Sequence, residues 1–112
     1  MCGIFAYAGK EPALPILVDG LKALEYRGYD SLGVYVAGDG VWKEVGAVSE
    51  LAPSMPKSFS GTVGIAHTRW ATHGVPSKTN AYPHHGQSKK VWLVHNGIIE
   101  NYQTLKEDLS AK

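Results

Sequence analysis

The chain carries a single cysteine, and it is the second residue. Enzymatic removal of Met1, usual where a small residue follows, would leave Cys2 with a free α-amine beside its own thiol. A nucleophile and a base would then share one residue, and an N-terminal amine activates hydroxyl and thiol nucleophiles. Both kinds of group are partly in their reactive forms near neutrality. A free cysteine is also among the most buried residue types. On this stretch alone a structural thiol beside a strand is the simpler reading.

Three other stretches offer partners for such a nucleophile. His67-Thr68-Arg69-Trp70-Ala71-Thr72-His73-Gly74 contains an arginine, whose planar fork suits a carboxylate. Thr72 and His73 add short-range hydrogen-bonding groups, and Trp70 could cover a small ligand and exclude water. A surface arginine stacked on a tryptophan is the plainer alternative. His95-Asn96-Gly97 could supply two donors to a developing oxyanion, the Asn96 amide and the Gly97 backbone N–H. The same Asn-Gly pair could be a two-residue hairpin turn between VWLVH and IIENY. Five histidines (His67, His73, His84, His85 and His95) raise the question of a metal. There is no HExxH and no CxxC, so no metal site is expected.

Elements that position these residues follow from periodicity. Cys2 to Ala8 is rich in strand formers and ends at Gly9, which predicts a buried strand. Leu14, Leu17, Val18, Leu21 and Leu24 share one helical face, predicting an amphipathic helix over 12–25. Gly20 inside it costs about 1 kcal/mol against alanine, which points to close approach of a neighbouring strand. Leu32 to Ala37 and Val41 to Val45 flank an Asp-Gly turn and read as a hairpin. Ser49 to Ala52 reads as one helical turn before Pro53 and Pro56. Thr62 to His67 and Val91 to His95 read as strands, and Asn101 to Leu109 as a helix capped by Asn101. Residues 68–88 show no clear period; so long an irregular stretch is usually functional. Helices and about five strands in mixed order predict an α+β fold with a largely antiparallel sheet.

Composition narrows the classes. Hydrophobic residues make up 44% and charged residues 19% of 112 residues, as in a globular domain of ordinary size. The net charge is +1 and no basic run occurs, so nothing points to nucleic acid. No apolar run approaches the roughly 18 residues that span a bilayer, and no signal peptide is visible. A single cysteine fits a reducing compartment.

Taken together, Met1-Cys2-Gly3-Ile4, Leu24-Glu25-Tyr26-Arg27-Gly28-Tyr29-Asp30-Ser31, the stretch from Gly64 to Gly74, and the stretch from Val94 to Tyr102 carry a resemblance. The chain resembles the N-terminal glutaminase domain of class II glutamine amidotransferases, the N-terminal-nucleophile hydrolases. EYRGYDS and HTRWATHG together point to the branch that aminates a sugar phosphate. The resemblance implies that Cys2, freed of Met1, attacks the side-chain amide of L-glutamine, its α-amine relaying the proton through a water. It implies an oxyanion hole of Asn96 and Gly97, and Arg69 on the glutamine α-carboxylate, with Thr72 and His73 nearby. Trp70 falls in the loop that closes over glutamine, and Arg27 supports the nucleophile. A thioester forms, ammonia leaves, and water releases glutamate. In the full-length family the ammonia converts fructose 6-phosphate into glucosamine 6-phosphate, with no cofactor in the glutaminase step. A cytoplasmic location and a homodimer formed through other domains are also implied.

The implied fold is an αββα sandwich of two antiparallel sheets between helix layers. The family pattern Asn-Ala-His-Pro-His reads here Asn80-Ala81-Tyr82-Pro83-His84, which loses one imidazole and keeps His84. The chain has about half the length of the family's glutaminase domain. Residues 1–112 are therefore expected to be a partial domain, without the aspartate that grips the glutamine α-amine and without the isomerase domains. Such a piece is expected to be weakly active or inactive alone. Two alternatives are a non-catalytic glutamine-binding remnant and a different cysteine hydrolase on the same fold, which would not depend on Arg69.

Overall fold

The computed structural model describes residues 2–28, 30–70 and 74–112. Four strands form an antiparallel sheet: β1 (Gly3–Ala8), β2 (Ser31–Val36), β3 (Gly40–Val45) and β4 (Val63–Arg69), in the order β1-β4-β2-β3. The β2–β3 hairpin turns at Ala37-Gly38-Asp39, where the Asp-Gly signal places it. The Asp39 carboxylate then accepts from the backbone N–H groups of Ser60 and Gly61, at 2.9 and 2.7 Å. That contact fixes the connector entering β4.

Register decides which face each side chain takes. Phe5 pairs with Ala66, and Ala66 with Val34, so these three share a face with Tyr7, Leu32 and Val36. Helix α1 (Ala13–Ala23) covers that face with Leu14, Leu17 and Leu21, and α2 (Val48–Leu51) adds Val48. Full burial of a leucine contributes roughly 1.5–3 kcal/mol, so Leu17 and Leu21, both fully buried, anchor the layer. A methyl group on Gly20 would overlap the Phe5 ring, so the glycine is what lets α1 lie close on β1. The helix is shorter than the predicted 12–25. It gives way at Leu24 to a 3-10 turn (Glu25–Arg27), whose tighter winding swings Arg27 toward the start of β1. A second 3-10 turn (Ala52–Ser54) extends α2 through Pro53, which sits in its first residues without breaking it.

The opposite face is covered over its middle by residues 80–93. Two short strands, β5 (His84–His85) and β6 (Trp92–Leu93), pair there, and the Trp92 indole stacks on Tyr35 of β2 at 4.5 Å. Tyr82 sits beside them; its carbonyl oxygen lies against Gly33, where a Cβ would overlap it. The Lys43 ammonium donates to the Ala81 carbonyl at 2.9 Å. Ile4 and Val63 remain exposed toward one edge of this face.

Helix α3 (Tyr102–Ser110) ends the chain, exposed along its length. Asn101 stands at its N-cap as expected, but its side chain makes no capping bond. The described residues thus hold one four-stranded sheet and a two-stranded ribbon on it, an α+β arrangement. The strand expected over 91–95 shrinks to Trp92–Leu93, because the chain then leaves the ribbon toward the start of β1. β4 runs two residues beyond the predicted end at His67, because Arg69 pairs with Ser31. Among the described residues, no helix is long and apolar enough to cross a membrane.

Candidate active site

The start of β1, the end of β4 and the loop after β6 meet around a cavity of about 420 Å³. Cys2, Arg69, Trp70, Tyr82, His84, Asn96 and Gly97 are on its wall. Segments far apart in sequence converge because β1 and β4 are hydrogen-bonded neighbours, with Gly3 opposite Thr68. Cys2 therefore enters at the level where β4 delivers Arg69 and Trp70.

Cys2 is half-buried, and its thiol faces the Trp70 carbonyl at 3.9 Å. That environment excludes the reading of a buried structural thiol. The Cys2 carbonyl accepts two hydrogen bonds, from Arg27 Nε at 3.1 Å and from Asn96 Nδ2 at 3.3 Å. An arginine donor makes the first a charge-assisted bond, roughly twice as strong as a neutral one. Arg27 and Asn96 together hold the backbone of the nucleophile's own residue.

Arg69 is buried, so it is not the surface arginine of the plainer alternative. Its Nη1 and Nη2 donate to the carbonyls of Val75 and Gly74, each at 3.2 Å. Asn80 Nδ2 donates to the same Val75 carbonyl at 2.8 Å. The guanidinium thus orders the loop beyond β4 from beneath. Trp70 stands at the cavity wall, 41% exposed. The expected roles of Thr72 and His73 fall on residues outside those described.

Asn96-Gly97 is not a hairpin turn. No strand follows it; the chain passes through Ile98 and Ile99 into α3. Gly97 adopts a φ of +153°, in the region that favours glycine. A side chain there would also crowd the His95 ring, its Cβ lying 3.1 Å from Nε2.

Three rings form a ladder from the sheet to the cavity wall: the buried His67 and Tyr82 with centroids 4.4 Å apart, then Tyr82 and His84 at 4.2 Å. Burial, seconded by the Arg69 charge and against the His95 hydrogen bond, lowers His67 to about 4. Burial also lowers His84, helped by Lys43 and Arg69. Burial first, then the nearby Cys2, raises the Tyr82 phenol. At neutral pH the ladder is uncharged, and the cavity's positive charge lies on Arg69. Among the described residues no three His, Cys, Asp or Glu side chains are grouped as metal ligands.

The structure therefore brings together Cys2, Arg69, Trp70, Asn96, Gly97, Arg27 and His84. His67 and Tyr82 were not expected as site residues. The available signal for His67 was a histidine that continues the apolar run Val63 to Ala66, and so must be buried in a strand. With its oxyanion donors, half-exposed thiol and buried guanidinium, the arrangement suits attack on an acyl carbon of a substrate bearing an anionic group.

No family model matches the chain. It is 60% identical over its whole length to a glutamine–fructose-6-phosphate aminotransferase [isomerizing] of Bacteroides thetaiotaomicron, and 54% identical to the protein of that name from Methanosarcina acetivorans. It spans 19% of the length of each. Among solved structures it is similar to the glutamine phosphoribosylpyrophosphate amidotransferase of B. subtilis complexed with ADP and GMP, with a TM-score of 0.77 and 29% identity. That match covers 98% of this chain and 25% of the other. The chain has an N-terminal-nucleophile amidotransferase fold, present as a partial domain, and is related along its whole length to the glutamine–fructose-6-phosphate aminotransferases.

Proposed function

We propose that this chain is the nucleophile-bearing part of a glutaminase. The supporting observation is the convergence of Cys2, Arg69, Asn96 and Gly97 on one cavity. After Met1 is removed, the Cys2 sulfur bonds to the side-chain amide carbon of L-glutamine. The thiol proton passes to the α-amine, directly or through a water. The oxyanion takes hydrogen bonds from the Asn96 amide and the Gly97 N–H. The carbon–nitrogen bond breaks, the proton goes to the leaving nitrogen, and ammonia departs. Water then hydrolyses the thioester, giving glutamate and the free thiol. Arg69 binds the α-carboxylate with Thr72 and His73 nearby, Trp70 belongs to the loop that closes over the substrate, and Arg27 and His84 support the site.

In a protein of the relatives' full length, the ammonia aminates fructose 6-phosphate to glucosamine 6-phosphate in a cytoplasmic homodimer. The 112-residue chain, which spans 19% of the length of its relatives, is expected to turn over weakly or not at all alone.

A single capture event separates chemistry from turnover. The diazoketone analogue of glutamine, 6-diazo-5-oxo-L-norleucine, alkylates a nucleophilic thiol with loss of dinitrogen. The expected result is one adduct per chain, mapped to Cys2 by peptide mass and absent from Cys2→Ala. A wild-type chain that takes no adduct would overturn the reading.

A further inference from the structure

We infer that His67 is a positioning residue for the oxyanion loop: its ring N–H holds the carbonyl of His95 and so sets the direction of the Asn96 amide and the Gly97 N–H. This rests on the amidotransferase reading above and deepens it. His67 lies on β4, hydrogen-bonded on both sides, between Ile4 of β1 and Gly33 of β2. It is completely buried.

The contact has a defined sense. His67 Nε2 lies 3.1 Å from the His95 carbonyl oxygen. A carbonyl only accepts, so Nε2 carries the proton and Nδ1 is bare. Nδ1 is buried and has no hydrogen-bond partner among the described residues. An unmet buried polar atom costs roughly 1–3 kcal/mol, so the imidazole is a poor choice for stability at this position. What it supplies is the donor to His95.

Among the described residues, few other hydrogen bonds steady the loop it holds. Residues 94–98 belong to no strand or helix. Beyond the His67 contact, Asn96 reaches Cys2 at 3.3 Å. His67 and Cys2 thus grip adjacent residues of the loop, one from the sheet and one from the nucleophile. The Tyr82 ring, 4.4 Å away, closes the remaining side of the imidazole. Tyr82 is itself held by the Lys43–Ala81 bond and by its seat on Gly33.

The test compares wild type, His67→Phe and His67→Gln. Phenylalanine keeps ring volume and stacking without the donor; glutamine restores an N–H. Two alkylations of Cys2 are timed, one by the diazoketone, whose carbonyl oxygen must sit on the oxyanion donors for its terminal carbon to meet the sulfur, and one by iodoacetamide, which needs no such seat. For His67→Phe the diazoketone rate is expected to fall about tenfold or more. Its iodoacetamide rate should stay within about twofold, and its melting temperature should be equal or higher. His67→Gln should recover most of the loss. An unchanged rate ratio, a parallel fall of both rates with the melting temperature, or an unfolded His67→Phe would overturn the proposal. In wild type, nitrogen NMR of His67 should show a protonated Nε2; the opposite tautomer would overturn it with no variant involved. A wild-type chain that captures no diazoketone overturns the amidotransferase reading itself, and this proposal falls with it.

Discussion

The side-chain amide of Asn96 donates to the carbonyl of Cys2 across 3.3 Å, although 94 residues separate them in the chain. In the proposed reaction one residue supplies the attacking sulfur and the other a donor for the charge that attack creates. Removing one oxyanion-hole donor typically costs 10²–10³ in rate. Asn96→Ala should therefore slow diazoketone capture by about that factor. The lost bond lies at an exposed position and should cost no more than about 1 kcal/mol of stability. Timed mass spectra and a urea titration check the two halves separately.

Arg69 does two things at once, lining the cavity and fastening the Gly74 and Val75 carbonyls. A lysine keeps the charge but not the fork. Arg69→Lys should lower diazoketone capture by tenfold or more, since the proposed bidentate carboxylate contact would be lost. It should also increase proteolysis within residues 74–80. Iodoacetamide labelling of Cys2 should change little; an equal loss with both reagents would contradict a carboxylate clamp.

Gly33 is where the cavity's Tyr82 wall meets the sheet. A methyl group at that position would overlap the Tyr82 carbonyl oxygen, a backbone atom that cannot rotate away. Gly33→Ala should destabilise the fold by about 1–3 kcal/mol, the usual range for overpacking. Wild-type-like stability, by thermal melting, would contradict this seat.

Several of these parts were legible in the sequence because their signals are local. Leu14, Leu17 and Leu21 recur at helical spacing and are buried. Asp39-Gly40 announces the hairpin. Cys2, Arg69, Asn96 and Gly97 stood out only through the motifs that contain them, since each alone had a plainer structural reading, and they meet at one cavity. What stayed hidden depends on distant partners. The seat of Tyr82 on Gly33 joins positions that local pattern cannot relate. The ordering of β4 through Arg69 comes from pairing with Ser31. The Val91 to His95 run has strand composition throughout, yet the loop contacts of His95 and Asn96 to His67 and Cys2 take its end off the ribbon.

The buried His67 makes stability depend on pH. Its ordinary value of 6.5 is lowered to about 4, chiefly by burial. Between those values the unfolded chain binds a proton that the folded chain refuses. The contribution is therefore fully present above pH 6.5 and is lost as pH falls through about 4. The loss is on the order of 3 kcal/mol. The charged or titratable groups around His67 are Arg69, Tyr82, His84 and His95; His84 shifts in the same direction, and the Tyr82 phenol is raised and stays neutral over this range. Urea midpoints between pH 7 and pH 4 should fall more steeply for wild type than for His67→Phe; parallel curves would contradict it.

The central claim is that Cys2 attacks an L-glutamine side chain held in this cavity. Its most direct test is competition at the thiol. The chain, with Met1 removed, is given the diazoketone in the presence of L-glutamine or D-glutamine, and the adduct at Cys2 is quantified by mass. The expected result is protection by L-glutamine alone, abolished in Arg69→Lys. Equal labelling with both enantiomers and in both proteins would contradict the account.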